Sequence, residues 1–124
     1  MIKYKELIDT YKNNLKDLLP IEILDVGAKG SIPRELYPIS SLINITGFEP
    51  NKNEYKKLDN ANNINYLPYA IGNKNSEENL YISNYPSATS LLKLNKEIVS
   101  RFWDYENLRV IGEEKINCVN LDYL

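Results

Sequence analysis

Apolar positions near the start of the chain, Ile2, Leu7, Ile8, Tyr11, Leu15, Leu18 and Leu19, recur at steps of three and four with Lys, Glu, Asp and Asn between them. That period predicts an amphipathic helix over residues 2 to 19, closed by Pro20. The period then changes. Ile21, Ile23, Leu24 and Val26 form a short β-rich run that stops at Gly27 and Gly30, the pattern of a buried strand entering a tight turn. In a stretch punctuated by Pro33 and Pro38, Arg34 to Leu42 reads as a helix, and Ile45 to Glu49 reads as a second strand that Pro50 ends, because proline has no N–H for a ladder. Asn53 to Leu58 predicts a short helix, and Ile64 to Ile71 a third strand stopped at Gly72-Asn73.

The order α-β-α-β-α-β favours a mostly parallel sheet joined by right-handed crossovers and covered on both faces. Beyond Gly72 the alternation is lost. Asn79 to Ser83 reads as a strand, Lys96 to Tyr105 as a helix with Ile98, Phe102 and Tyr105 on one face, and Arg109 to Ile111 and Lys115 to Leu121 as two further strands. The expected organisation is an N-terminal helix, residues 1–20, followed by one α/β domain, residues 21–124, whose sheet is the first half of a doubly wound, Rossmann-like fold with a mixed β extension. A chain of 124 residues has room for one such core.

Composition narrows the chemistry. Fifteen Lys and Arg against seventeen Asp and Glu give a net charge of −2, which disfavours a nucleic-acid surface. No apolar run reaches the ~18 residues of a membrane span, and Met1-Ile2-Lys3-Tyr4-Lys5-Glu6 lacks a signal-peptide core, so a soluble, cytoplasmic protein is expected. The chain has no His and a single Cys, which removes Ser-His triads, intrachain disulfides and the commonest zinc ligands. Cys118, between Ile116 and Val119, reads as a small core or half-buried residue. Ser87-Ala88-Thr89-Ser90 reads as a loop or cap, and Trp103 with Phe102 and Tyr105 as a packing face.

The segment with chemical content is Leu24-Asp25-Val26-Gly27-Ala28-Lys29-Gly30, followed nineteen residues later by Glu49 in Gly47-Phe48-Glu49-Pro50. Both acids fall at the C-terminal ends of expected parallel strands, the edge at which open α/β sheets bind ligands. The glycines allow a sharp turn and close approach, and an acid about 20 residues beyond such a loop is placed to accept from ribose hydroxyls. Asp25 separates two adenosine ligands. A carboxylate at this turn repels a dinucleotide pyrophosphate, by roughly 4 kcal/mol for like charges ~4 Å apart at an effective dielectric of ~20. It suits the sulfonium and ammonium groups of S-adenosylmethionine. The loop also lacks the G-x-G-x-x-G spacing of a pyrophosphate site.

These residues resemble the FkbM-type class I S-adenosylmethionine-dependent methyltransferases. The resemblance rests on the two segments above with Asn51, on Leu67-Pro68-Tyr69-Ala70-Ile71-Gly72, on Ala88-Thr89-Ser90-Leu91-Leu92, and on Val119-Asn120-Leu121-Asp122-Tyr123-Leu124, in the family's order over residues 21 to 124. It implies that Asp25, Gly27, Ala28 and Gly30 line the methionine side of the cofactor, that Glu49 holds the ribose, and that Ala70 and Ile71 lie near the adenine. It assigns Lys29 no role. It implies methyl transfer, usually to oxygen of a small molecule or sugar, without indicating the acceptor or a catalytic base. In that family the last motif precedes a fourth strand and the rest of the sheet, so the expectation is a cofactor-binding half. The first strand is then expected to be a sheet edge, open to self-association into a homo-oligomer or to covering by the chain's own tail. Two other readings stand beside methyl transfer: a non-catalytic binding module, and a nicotinamide-dependent oxidoreductase half-domain, which Asp25 disfavours.

Overall fold

The structure is a computed structural model, which describes residues 4–14, 16–102 and 107–123. It is an α/β protein with one parallel and one mixed three-stranded sheet. Among the described residues no helix is long and apolar enough to cross a membrane. The chain divides into two compact units, residues 1–68 and 69–124.

In the first unit, α1 (Tyr4–Asn14) is shorter than its apolar period predicts. Asn13 and Asn14 are weak helix formers, and the chain continues as a 3₁₀ turn, Lys16–Leu18, before Pro20. Ile8 and Leu19 pack on the core, whereas Leu7, Tyr11 and Leu18 are exposed; Ile2 and Leu15 lie outside the described residues. Strand β1 (Ile21–Val26) pairs in parallel with β2 (Ile43–Phe48), and β2 with β3 (Ile64–Leu67), in the order β1-β2-β3. β2 begins two residues earlier than its β-rich pattern suggests and ends at Phe48, so Glu49 is the first residue beyond the strand.

The expected helix over Arg34–Leu42 is a 3₁₀ segment. Pro38 inside it lacks a donor and obstructs α-helical bonding, yet Leu36, Ile39 and Leu42 still reach the core. That core, Ile32, Leu42, Ile43 and Ile45 with Ile23 and Ile64 against it, covers one face of the sheet. The short helix after β2 is a single turn, α2 (Lys52–Tyr55), capped by Asn51, whose side chain accepts from the amides of Asn53 and Glu54 at 2.9 and 3.1 Å.

The expected third strand divides. Ile64–Leu67 is β3 of the first sheet, and Pro68, without a donor, ends it. Ala70–Ile71 forms β4 in the second unit, beside Cys118 and Val119. There β5 (Ser76–Ser83) runs antiparallel to β6 (Val110–Val119), giving the order β4-β6-β5. β6 replaces the two strands expected over Arg109–Leu121. Glu113 and Glu114 interrupt the apolar pattern, but alternation persists through them, with Ile116 and Cys118 buried and Ile111, Glu113, Lys115 and Asn117 exposed, and β5 supplies a continuous partner. Ala70, Leu80, Ile116 and Cys118 form this unit's core. The helix expected over Lys96–Tyr105 is one turn, α3 (Lys96–Val99), too short to present an apolar face; Ile98 and Phe102 are exposed, and Trp103 and Tyr105 lie outside the described residues.

Candidate functional site

The parallel register aligns the C-terminal ends of β1 and β2, with Asp25 beside Gly47 and Val26 beside Phe48. From there the chain turns through Gly27 and Gly30, both at φ +85°, and Ser31 at +77°. Only glycine takes the first two conformations without strain. The turn is tied to the sheet at one acceptor: the amides of Gly27 and Ala28 both donate to the Phe48 carbonyl, at 2.9 and 3.1 Å. A second, tighter bond runs from the Lys29 amide to the Gly27 carbonyl at 2.8 Å. A Cβ at Gly27 or Gly30 would meet nothing within 4 Å, so these glycines answer to backbone conformation and leave the space over the turn open.

Beneath the turn the packing is close. A Cβ on Gly47 would lie 2.5 Å from Tyr66 Cδ1 and 2.9 Å from Ala28 Cβ. Gly47 therefore lets the buried Ala28 and the Tyr66 ring pack closely against β2. Tyr66 is fixed at both ends: its amide donates to Asn60 Oδ1 at 2.8 Å, and its hydroxyl is 3.4 Å from Ser31 Oγ.

Glu49 stands at the mouth of this arrangement. Its amide donates to the Leu67 carbonyl at 3.0 Å, which continues the ladder one residue past β2, and its residue surface is only 5% exposed. Oε1 accepts from the Asn51 amide at 2.8 Å, an Asx-like turn that holds the side chain while Asn51's own side chain caps α2. Burial pushes the Glu49 carboxyl above its ordinary value; the Asn51 amide and Lys29 oppose that rise, and Glu54 and Asp25 add to it. Asp25, half-buried, is likewise raised by desolvation. Glu54 moves the other way, held down chiefly by its 2.7 Å hydrogen bond to Lys57. Desolvation thus disfavours the charged form of both Asp25 and Glu49, which lie beside an open glycine turn.

Of the residues singled out in the sequence, Asp25, Gly27, Ala28, Gly30 and Glu49 come together in the first unit. Ala70 and Ile71 belong to β4 of the second unit, where Ala70 packs with Leu80 and Cys118. Cys118 is buried, as its apolar flanks suggest, and its thiol is raised chiefly by desolvation. Thr89 and Ser90 serve the loop: Thr89 Oγ1 accepts from the Ser83 amide, and Ser90 bridges to Tyr81 through backbone bonds. Sequence reasoning missed Tyr66 and the positioning roles of Gly47 and Asn51. A glycine inside a β-branched strand was the available signal, since it marks close backbone approach.

No family model matches the chain, and neither curated proteins nor solved structures give a match.

Proposed function

We propose that the first unit is an S-adenosylmethionine cleft of a Rossmann-like methyltransferase domain, and that the chain belongs to methyl-transfer chemistry directed at oxygen of a small molecule or sugar. The single observation that carries this reading is the buried Glu49 carboxylate, held by the Asn51 amide at the end of β2, next to Asp25 and the Gly27–Gly30 turn. The residues fit such a ligand in kind. Glu49 Oε1 and Oε2 are acceptors for a ribose diol, Asp25 is an anion for an ammonium group, and the open turn admits a chain without phosphate. When bound, the ligand supplies a methyl group already activated by a sulfonium. The chain's own contribution is proximity and alignment, which can supply several kcal/mol.

Titration of the isotope-labelled chain by NMR tests the reading. S-adenosylhomocysteine should shift the amides of Gly27, Ala28, Lys29, Gly30 and Asn51 saturably, while NAD leaves them in place. Shifts with NAD alone would favour a nicotinamide-dependent oxidoreductase.

A second reading, a non-catalytic module that associates with its own copies, is favoured by β1. It is the end strand of its sheet, and Leu24 and Val26 are 55% and 60% exposed on it. An open strand edge recruits other strands. Sedimentation equilibrium decides: a concentration-dependent dimer supports this reading, and a monomer at all concentrations rejects it.

A further inference from the structure

Lys29 is the one cation of the glycine turn, and the motif resemblance gives it no part. Its place is set by backbone bonds. The amides of Gly27 and Ala28 are both tied to the Phe48 carbonyl, so Lys29 and Glu49 are the residues that follow the two sides of one bonded junction. Ala28 is buried beneath the turn and Lys29 is exposed above it. Among the described residues Lys29 takes part in none of the ion pairs; Glu54, the nearest candidate in α2, is engaged by Lys57 at 2.7 Å. Its charge nevertheless reaches both Glu49 and Glu54, since it lowers the carboxyl of each. The glycine turn therefore carries an exposed cation, next in sequence to the junction that Glu49 follows, that no ion pair among the described residues engages.

Resting on the cofactor reading above, we infer that Lys29 sets the charge preference of this cleft, weakening a cationic occupant relative to a neutral one of the same shape. The methyl donor and its product are such a pair. S-adenosylmethionine and S-adenosylhomocysteine differ by one methyl group and one positive charge, at sulfur. Asp25 and Glu49 favour the sulfonium, and Lys29 opposes them. In water-like surroundings one unit charge acting on another changes an equilibrium about two- to fivefold.

The test is calorimetric titration of the full chain, as wild type, Lys29→Gln, Lys29→Glu and Lys29→Arg, with S-adenosylmethionine and with S-adenosylhomocysteine. Lys29 is exposed, so these variants retain the fold, which circular dichroism verifies. The ratio of the two dissociation constants cancels effects common to both ligands. Lys29→Gln should shift that ratio about two- to fivefold toward the donor, Lys29→Glu further, and Lys29→Arg not at all. Raising the ionic strength to ~1 M should shrink the shift, because exposed charges are then screened over ~3 Å. If both ligands bind and the ratio is the same in wild type, Lys29→Gln and Lys29→Glu, the inference about Lys29 is overturned and the cleft stands. If neither ligand binds the folded wild type, the cofactor reading falls and the inference falls with it.

Discussion

Gly47 and Gly30 show two different reasons for a glycine, and mutation separates them. Gly47→Ala drives a methyl into Tyr66 and Ala28, so it should cost about 1–3 kcal/mol of stability in urea unfolding through overpacking. Gly30→Ala meets no atom within 4 Å but must adopt φ +85°, so its cost should be about 1–2 kcal/mol and independent of any neighbour. A Tyr66→Leu background should therefore relieve Gly47→Ala and leave Gly30→Ala unchanged. Glu49 makes a pH-dependent claim. Its carboxyl is raised in the folded chain, so the ionised form is disfavoured by folding, and that penalty is fully present above the raised value. Glu49→Gln, which keeps an acceptor for the Asn51 amide, should raise the melting temperature at neutral pH. The gain should shrink as pH falls through the raised range and vanish below the ordinary value of 4.5, where both states of the wild type are protonated. At this scale Asp25, Gly27 and Glu49 were legible because local chemistry names them. Tyr66 was not, because its role depends on a neighbouring strand that no local pattern reveals.

Strands and turns differ in what holds them. α2 is a single turn and depends on its cap; Asn51→Ala removes two accepted hydrogen bonds and should cost about 1 kcal/mol, with the Gly27–Gly30 amides unshifted and those of Lys52–Tyr55 shifted in NMR spectra. β2 is paired on both sides and buries Ile43, Ile45 and Phe48, whereas β1 has one partner among the described residues. Amide exchange of the monomer should accordingly be slower across Ile43–Phe48 than across Ile21–Val26, and equal rates would indicate that β1 is covered. The alternating strand–helix order was readable from hydrophobic period. Its lengths were not. α1 stops short where asparagines replace helix formers, Arg34–Leu42 tightens to 3₁₀ around Pro38, and β6 runs through Glu113 and Glu114 because β5 provides the bonds that sequence alone does not display.

For the whole molecule, the α/β class followed from the pattern, but the change of sheet at Pro68 did not. A run of apolar residues from Ile64 to Ile71 looks continuous, and only pairing partners show that Tyr66 and Ala70 serve different sheets. In the function proposed above, the first unit binds an adenosine ligand without phosphate, through Glu49. The most direct measurement is calorimetric titration of wild type and Glu49→Ala with S-adenosylhomocysteine, with NAD as the control. Saturable binding to the wild type, weakened by about 1–3 kcal/mol in Glu49→Ala, with no heat from NAD, is the result expected of a buried charged hydrogen-bond partner. Equal affinity in wild type and variant, or a folded wild type that takes up no S-adenosylhomocysteine, would contradict it.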